Sequence, residues 1–227
     1  MKMAAMETAL RLNPRPFSGV YGYYGAVLFM NRQYEKAIEP LEKARESSYL
    51  ARQHLAMAYA QLGRLDDAKV EIDSLLKAVP EDCLSFYRIY YAHHKREADR
   101  AHMIEALRKA GLPEWPFGYE GRAEDRLDGS ALKTLTLGRT WIGHTSAGLQ
   151  FIQEIGTDGK FAFRCTRSFF TGNASVQSDM LCRKSAANLM GRKLCGYVYR
   201  NPKGTLEENN AYVYVSPTSL MFFSPVR

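Results

Sequence analysis

The spacing of apolar residues divides the chain into two parts. Between residues 21 and 80, small and large apolar side chains recur at positions about thirty residues apart, with the rhythm of a helix. The corresponding positions are Tyr24, Gly25, Leu28, Tyr34, Ala37 and Ala44, and then Leu55, Ala56, Tyr59, Leu65, Ala68 and Leu75. Because Gly and Ala remove bulk where one helix meets its neighbour, this pattern predicts stacked helical hairpins.

These units resemble the tetratricopeptide repeat, in which each hairpin is a pair of helices. Residues 6–14 match the second helix of a preceding repeat whose first helix is missing from the sequence, and residues 84–110 contain two further helical segments. Gly111-Leu-Pro113 then ends the helical pattern. We therefore predict an α-solenoid of tetratricopeptide-type hairpins over residues 1–113, with a truncated first repeat.

From residue 130 onward, apolar and polar residues alternate, as in half-buried β-strands. Seven short runs have this character: residues 139–143, 148–155, 160–167, 174–181, 194–200, 211–215 and 220–223. Asp158-Gly159 predicts a two-residue hairpin turn, which requires a positive φ at both positions.

We predict a small antiparallel β meander over residues 130–227, curled or closed into a barrel, and a linker at residues 114–129. The linker prediction rests on the Trp-Pro-Phe-Gly sequence and the charged residues of that segment. The expected fold class is α+β with two domains.

Composition limits the classes of function. Hydrophobic residues make up 46% of the chain and charged residues 24%, a balance typical of a globular protein with a buried core. No apolar run reaches the roughly 20 residues that span a bilayer, so any export signal or membrane anchor is expected upstream of this sequence. The net charge is +7, but no nucleic-acid-binding motif accompanies it, and nucleic acid is not the expected partner.

No catalytic or cofactor-binding motif accompanies these elements. The sequence contains no Gly-rich nucleotide loop and no Cys or His pairs at zinc-binding spacing. Gly143-His-Thr-Ser-Ala-Gly148 lacks the frame of a nucleophile turn and is interpreted as a hairpin. We expect neither enzyme activity nor a cofactor or metal ion.

Two stretches resemble the C-terminal region of bacterial, chiefly rhizobial-type, class III adenylate/guanylate cyclase proteins. They are Ala106-Leu-Arg-Lys-Ala-Gly-Leu-Pro-Glu114, and Asp179-Met-Leu-Cys182 followed by Cys195-Gly-Tyr-Val-Tyr-Arg-Asn-Pro-Lys-Gly-Thr205. Those proteins place a cyclase domain first, commonly a membrane segment next, and tetratricopeptide repeats towards the end. The likeness covers nearly the whole chain, but the cyclase domain and its metal-binding and nucleotide-binding residues have no counterpart here. The resemblance implies a regulatory or sensory attachment without cyclase activity, in an extracytoplasmic rather than a cytoplasmic location.

Cys182 and Cys195 enclose a short basic segment. The extracytoplasmic location that the resemblance implies, together with the small size of the β domain, favours a disulfide between them. The alternative is a pair of reduced, buried thiols in a cytoplasmic domain. The basic residues between the cysteines are Arg183, Lys184, Arg192 and Lys193. They predict, as one alternative function, anion or membrane-surface binding through residues 183–193.

The helical hairpins contain a second candidate site. The first helices of stacked hairpins line a concave groove that can receive an extended peptide. The positions predicted to line this groove are Phe29, Met30, Gln53, Met57 and Gln61. A stripe of Met and aromatic residues is ordinarily core, so the exposure of these side chains decides between the two interpretations.

The leading interpretation is a non-catalytic protein-interaction and regulatory module. In it the helices dock a protein or peptide partner, and the β domain senses a signal or stabilises the chain. The main alternative is a small-ligand carrier with a lipocalin-like barrel, lined by Phe and Tyr and with Trp141 near its opening strand. An eight-stranded barrel can hold one small ligand, whereas the seven predicted strands favour a filled interior.

Overall fold

The structure is a computed structural model that describes residues 3–13, 16–186, 191–202 and 210–226. The chain divides into two compact units, Met1–Glu114 and Trp115–Arg227. Helices build the first unit and a closed antiparallel barrel builds most of the second. The predicted α+β class is therefore confirmed.

Successive helices pack as pairs in the first unit. The described helices are α1 (Met3–Leu12), α2 (Ser18–Met30), α3 (Tyr34–Ala44), α4 (Tyr49–Gln61), α5 (Leu65–Ala78), α6 (Leu84–Tyr90) and α7 (Glu97–Lys109). The pairs α2 with α3, α4 with α5, and α6 with α7 are in contact. The helix predicted over residues 6–14 corresponds to α1, although Pro14 lies outside the described residues.

Local sequence accounts for the position and the closeness of these helices. Ser48 caps α4 by accepting a hydrogen bond from the backbone N–H of Ala51 at 3.2 Å. Gly25 faces α3 so closely that a Cβ atom there would lie 2.4 Å from Leu41 Cγ. The expectation that small residues mark helix-packing points therefore holds at Gly25. The core between the helices is built around Phe29, Leu41, Leu55, Met57, Ile72, Met103 and Leu107.

Eight antiparallel strands close the barrel in sequence order. They are β1 (Arg139–Thr145), β2 (Gln150–Ile155), β3 (Lys160–Cys165), β4 (Phe169–Gln177), β5 (Met180–Lys184), β6 (Lys193–Arg200), β7 (Tyr212–Ser216) and β8 (Ser219–Val226). The last strand pairs with the first over residues 140–145 and 221–226. Closure leaves no unpaired sheet edge, because each strand has a neighbour on both sides.

The prediction of seven strands was wrong. The predicted run 174–181 combines the end of β4 with the start of β5. A tight turn separates the two strands at Ser178, whose φ is +52°. The sequence signal was the polar run Gln177-Ser178-Asp179, which interrupts the apolar alternation within the predicted strand.

The predicted turn between β2 and β3 also differs in detail. Four residues, 156–159, connect the strands, and of these only Gly159 has a positive φ, at +81°. Asp158 contributes through its side chain, because its Oδ1 accepts a hydrogen bond from the backbone N–H of Lys160 at 3.0 Å. The hairpin was thus predicted at the right place, but a two-residue turn with two positive φ angles was wrong.

A short helix that the sequence analysis missed packs on the barrel. This helix, α8 (Gly129–Thr136), starts at Asp128, whose Oδ1 accepts hydrogen bonds from the N–H groups of Ser130 and Ala131. Leu132 and Leu135 are buried with the side chains of the barrel interior. The Trp141 indole N–H donates to the Leu135 carbonyl at 3.0 Å. The sequence signal was the Asp-Gly-Ser start followed by Leu at two positions on one helical face.

The segment predicted as a linker belongs to the second unit from Trp115 onward. Trp115 and Tyr119 pack with Tyr197 and Tyr199 of β6 on the outer face of the barrel. The backbone N–H of Leu127 donates to the Val198 carbonyl at 2.9 Å. Aromatic residues in a stretch rich in Pro and Gly therefore mark a packed segment here.

Large side chains line the interior of the barrel. One row crosses four neighbouring strands in register and consists of Trp141, Gln153, Phe163 and Phe170. The Trp141 ring stacks on Phe223 with centroids 3.9 Å apart. No helix within the described ranges is both long and apolar enough to cross a lipid bilayer.

Candidate functional site

A groove of about 920 Å³ lies in the helical unit. It is lined by one face each of α2, α4 and α6, by the residues that follow α6, and by part of α7. The aromatic, methionine and histidine residues of the lining are Tyr23, Met30, Tyr49, His54, Phe86, Tyr87, Tyr90, Tyr91, His93, His94 and Met103. This volume lies within the range of several hundred to about 1,000 Å³ that is typical of ligand-binding clefts.

The rings of the groove differ in how far they reach into solvent. Tyr23, Tyr49 and Tyr90 are 59%, 40% and 53% exposed, whereas Tyr87 and Tyr91 are buried. Large exposed aromatic side chains are uncommon on a surface that meets only water. The buried pair forms the floor of the groove, and the exposed rings form a face that a partner can contact.

Hydroxyl groups connect the buried floor to its surroundings. The Tyr87 hydroxyl donates to Asp82 Oδ2 at 3.0 Å and lies 3.2 Å from the Tyr49 hydroxyl. The Tyr91 hydroxyl donates to Gln53 Oε1 at 3.2 Å. These bonds join α4 to α6 and to the residues next to it, and they fix the orientation of the rings.

Gln53 carries an unused hydrogen-bond donor at this site. The residue is 4% exposed, its Oε1 accepts from Tyr91, and its Nε2 has no hydrogen-bond partner within the described part of the chain. A buried polar nitrogen without a partner costs stability, so such groups often mark a place where a ligand supplies the acceptor. Gln53 lines the groove, and a carbonyl oxygen bound there can accept from it.

The groove holds few charges near neutral pH. Burial lowers the pKa of His54 to about 4, and burial followed by the neighbouring His93 lowers the pKa of His94. Burial raises the pKa of Asp82, although the hydrogen bond from Tyr87 opposes this shift. Asp99 forms an ion pair with Arg96 at 2.8 Å. The site therefore suits a ligand that is apolar or aromatic and presents hydrogen-bonding groups, rather than a strongly charged one.

The structure brings together only some of the residues predicted for this groove. Met30 and Gln53 line it. Phe29 and Met57 do not, because both are fully buried in the helical core. Gln61, the last residue of α4, is half-buried and lies outside the lining.

A rotation about the helix axis explains the error. The groove face of α2 passes through Tyr23, Val27 and Met30, which follow the spacing of one helical face. Phe29 is one position away from Met30 and so points about 100° to the side, into the core. The groove aromatics that the prediction missed are concentrated in residues 86–91, where four of the six side chains are aromatic and a fifth, Ile89, is aliphatic.

The barrel unit contains the predicted disulfide. Cys182 on β5 and Cys195 on β6 are directly opposite each other in the sheet and are joined by a disulfide bond. The alternative of two free thiols in this pair was wrong. Of the other two cysteines, Cys83 is buried and Cys165 is half-buried, and neither belongs to the disulfide.

The basic residues between these cysteines do not form a single surface. Lys184 and Lys193 are opposite each other and exposed, and Lys193 Nζ donates to Gln177 Oε1 at 2.8 Å. Arg192 is half-buried. Arg183 lies inside the barrel, because the alternation along β5 directs its side chain inward. Arg183 is therefore separated from the exposed Lys184 and Lys193, and anion or membrane-surface binding through residues 183–193 stays a prediction. Residues 187–190 of that segment lie outside the described residues.

Comparison with known proteins adds no assignment to this geometry. No protein-family model matches the sequence, and no curated protein matches it. Within the described ranges, His, Cys, Asp and Glu side chains do not form a group of three that could hold a metal ion.

Proposed function

We propose that this chain is a non-catalytic binding module whose helical groove docks an extended segment of a partner protein. The observation that carries the proposal is the groove of about 920 Å³, with exposed tyrosines at its surface and the unpaired Gln53 Nε2 in its wall. The proposal agrees with the tetratricopeptide-type pattern of the sequence, because such hairpins commonly receive peptides on their first helices. It also agrees with the regulatory attachment that the cyclase resemblance implies.

The chemistry of the lining specifies the kind of segment. Tyrosine rings provide flat apolar contact at little cost in side-chain entropy, and their hydroxyls accept or donate hydrogen bonds. A peptide with Pro, Leu or aromatic side chains can pack on Tyr23, Tyr49 and Tyr90, while one of its backbone carbonyls accepts from Gln53 Nε2. The β barrel, a separate compact unit of the same chain, then stabilises the chain or senses a signal.

The test is selection of random twelve-residue peptides on the complete chain, followed by fluorescence anisotropy with the selected peptides. The variants Tyr49→Ala and Tyr90→Ala remove exposed rings from the groove, while the hydrogen bonds of Tyr87 to Asp82 and of Tyr91 to Gln53 still hold its buried floor. We expect each to weaken peptide binding at least tenfold, which corresponds to about 1.4 kcal/mol and is typical of an aromatic hot spot.

The matched control is Val70→Ala on α5, since Val70 is 64% exposed and lies outside the groove. This variant should bind the selected peptides as the unchanged chain does. Peptides that bind the double variant Tyr49→Ala/Tyr90→Ala with full affinity would show that the groove is not the docking site.

A further inference from the structure

The interior of the barrel contains a positive charge without a negative partner. Arg183 points inward from β5 and is only 8% exposed. Its Nη1 donates to Gln153 Oε1 at 2.6 Å, and its Nη2 donates to Met221 Sδ at 3.7 Å. The guanidinium also lies over the Tyr214 ring, 4.5 Å from the centroid. Among the residues that the structure describes, the side-chain contacts of Arg183 are with Gln153, Met221 and Tyr214, and none of them is a carboxylate.

These three contacts do not balance the charge. An arginine side chain remains protonated in a protein and carries five N–H donors. A glutamine oxygen is neutral, a thioether is a weak acceptor, and a ring face attracts a cation only modestly. Buried charges in proteins are ordinarily paired with an opposite charge, because removing an ion from water is expensive.

A buried N–H donor without an acceptor lies beside the Arg183 guanidinium. Gln153 on β2 is fully buried, and its Nε2 has no hydrogen-bond partner within the described residues. This nitrogen shares its amide carbon with the oxygen that accepts from Arg183, so both residues present N–H donors within reach of one small group. A cluster that consists of donors and carries a positive charge is complementary to an anion with oxygen acceptors.

We propose that the barrel binds a compact anion beside the Arg183–Gln153 pair, where it accepts from the remaining guanidinium N–H groups and from Gln153 Nε2, and that this anion is a carboxylate. Two carboxylate oxygens match the donors of a guanidinium and a neighbouring amide, since arginine binds carboxylates in a bidentate fashion. The apolar rings of Phe163 and Tyr214 exclude water from this part of the interior, which strengthens the attraction. The carboxylate is either a free small acid or the head group of a longer organic acid.

This site is independent of the groove in the helical unit. Its position is also tied to the disulfide, because Arg183 follows Cys182 directly on β5. The pairing of Cys182 with Cys195 holds the strand from which the guanidinium projects.

The experiment is isothermal titration calorimetry of the oxidised, complete chain with formate, acetate, butyrate and octanoate at constant ionic strength. We expect saturable binding of at least one of these acids, accompanied by a rise in the melting temperature of the barrel. Affinity that increases from acetate to octanoate identifies an organic acid with an apolar tail as the occupant. Affinity limited to formate and acetate identifies a free small anion, and both results support the site.

Two substitutions connect the binding to the donor cluster. Gln153→Glu places a carboxylate next to Arg183 within the barrel itself, so it should weaken acid binding at least tenfold while the melting temperature stays the same or rises. Arg183→Met removes the charge with a side chain of similar length and should abolish binding. If the Arg183→Met protein does not fold, Gln153→Glu still decides the question.

The control is Arg164→Gln, because Arg164 is an exposed barrel arginine that lies over the Phe169 ring at 5.3 Å. It should bind the acids within twofold of the unchanged chain. The proposal is overturned if none of the four acids binds saturably, or if Gln153→Glu binds them with unchanged affinity.

Discussion

Replacing both cysteines of the disulfide with alanine tests how the barrel unit is stabilised. The linked residues are 13 positions apart, and opening this loop restores conformational entropy to the unfolded chain. For a loop of this length the entropy corresponds to about 3 kcal/mol at 25 °C. Alanine is the suitable replacement, because Cys182 is only 1% exposed and a serine hydroxyl there would lack water.

The expected shift in melting temperature follows from the size of the unit. The barrel unit comprises about 110 residues, and unfolding entropy near 60 °C is about 2 cal/mol/K per residue. A loss of about 3 kcal/mol then lowers the melting temperature by about 12 °C. This is a large part of the roughly 5–15 kcal/mol that stabilises an ordinary domain.

Tryptophan fluorescence can follow the barrel alone. Both tryptophans of the chain, Trp115 and Trp141, belong to the barrel unit, whereas circular dichroism at 222 nm mainly follows the helices. The double variant Cys182→Ala/Cys195→Ala should melt earlier by fluorescence, and the helical transition should move much less. Cys83→Ala serves as the control for loss of a buried thiol elsewhere.

Two results would refute this reasoning. One is a double variant whose barrel melts within about 3 °C of the unchanged chain, since loop closure would then contribute far less than the calculated entropy. The other is a barrel transition of the unchanged chain that keeps its temperature after complete reduction of the disulfide.

Two further predictions concern the helical unit. Gly25→Ala should lower the free energy of unfolding by about 1–3 kcal/mol in urea titrations, because its Cβ would lie 2.4 Å from Leu41 Cγ. The control is Gly19→Ala on the same helix, since its Cβ would meet the exposed, movable ring of Phe17. Burial lowers the pKa of His54 to about 4, below its value of 6.5 in the unfolded chain. Neutral His54 is therefore compatible with the folded state above pH 6.5, and stability is lost as the pH falls from 6.5 to about 4. The free energy of unfolding should fall by about 2 kcal/mol between pH 7 and pH 5 from this group, and His54→Gln should remove that dependence. Equal effects of the two glycine substitutions, or an unchanged pH slope in His54→Gln, would contradict these interpretations.

Local features of the chain were predictable because their causes are local. The start of α4 lies beside its own signal, because Ser48 caps this helix. The α+β class also follows from patterns that are short in sequence, whereas the pairing of Cys182 with Cys195 was expected from the resemblance and from the small size of the β domain. The turn at Ser178 was missed because the predicted strand was extended to Leu181 through the polar run Gln177-Ser178-Asp179, which was the local signal for this turn.

Contacts between distant residues account for the features of the sites that the sequence did not reveal. The groove depends on the rotation of α2, which directs Phe29 into the core and Met30 towards the ligand side, and neighbouring helices set that rotation. The barrel closes when β8 meets β1, strands that are about eighty residues apart. Arg183 meets Gln153 across the interior for the same reason, and its place among four basic residues between two cysteines gives no sign of this contact. Short-range periodicity encodes which helices and strands form. The direction in which an individual side chain points depends on packing against residues that are far away in the sequence.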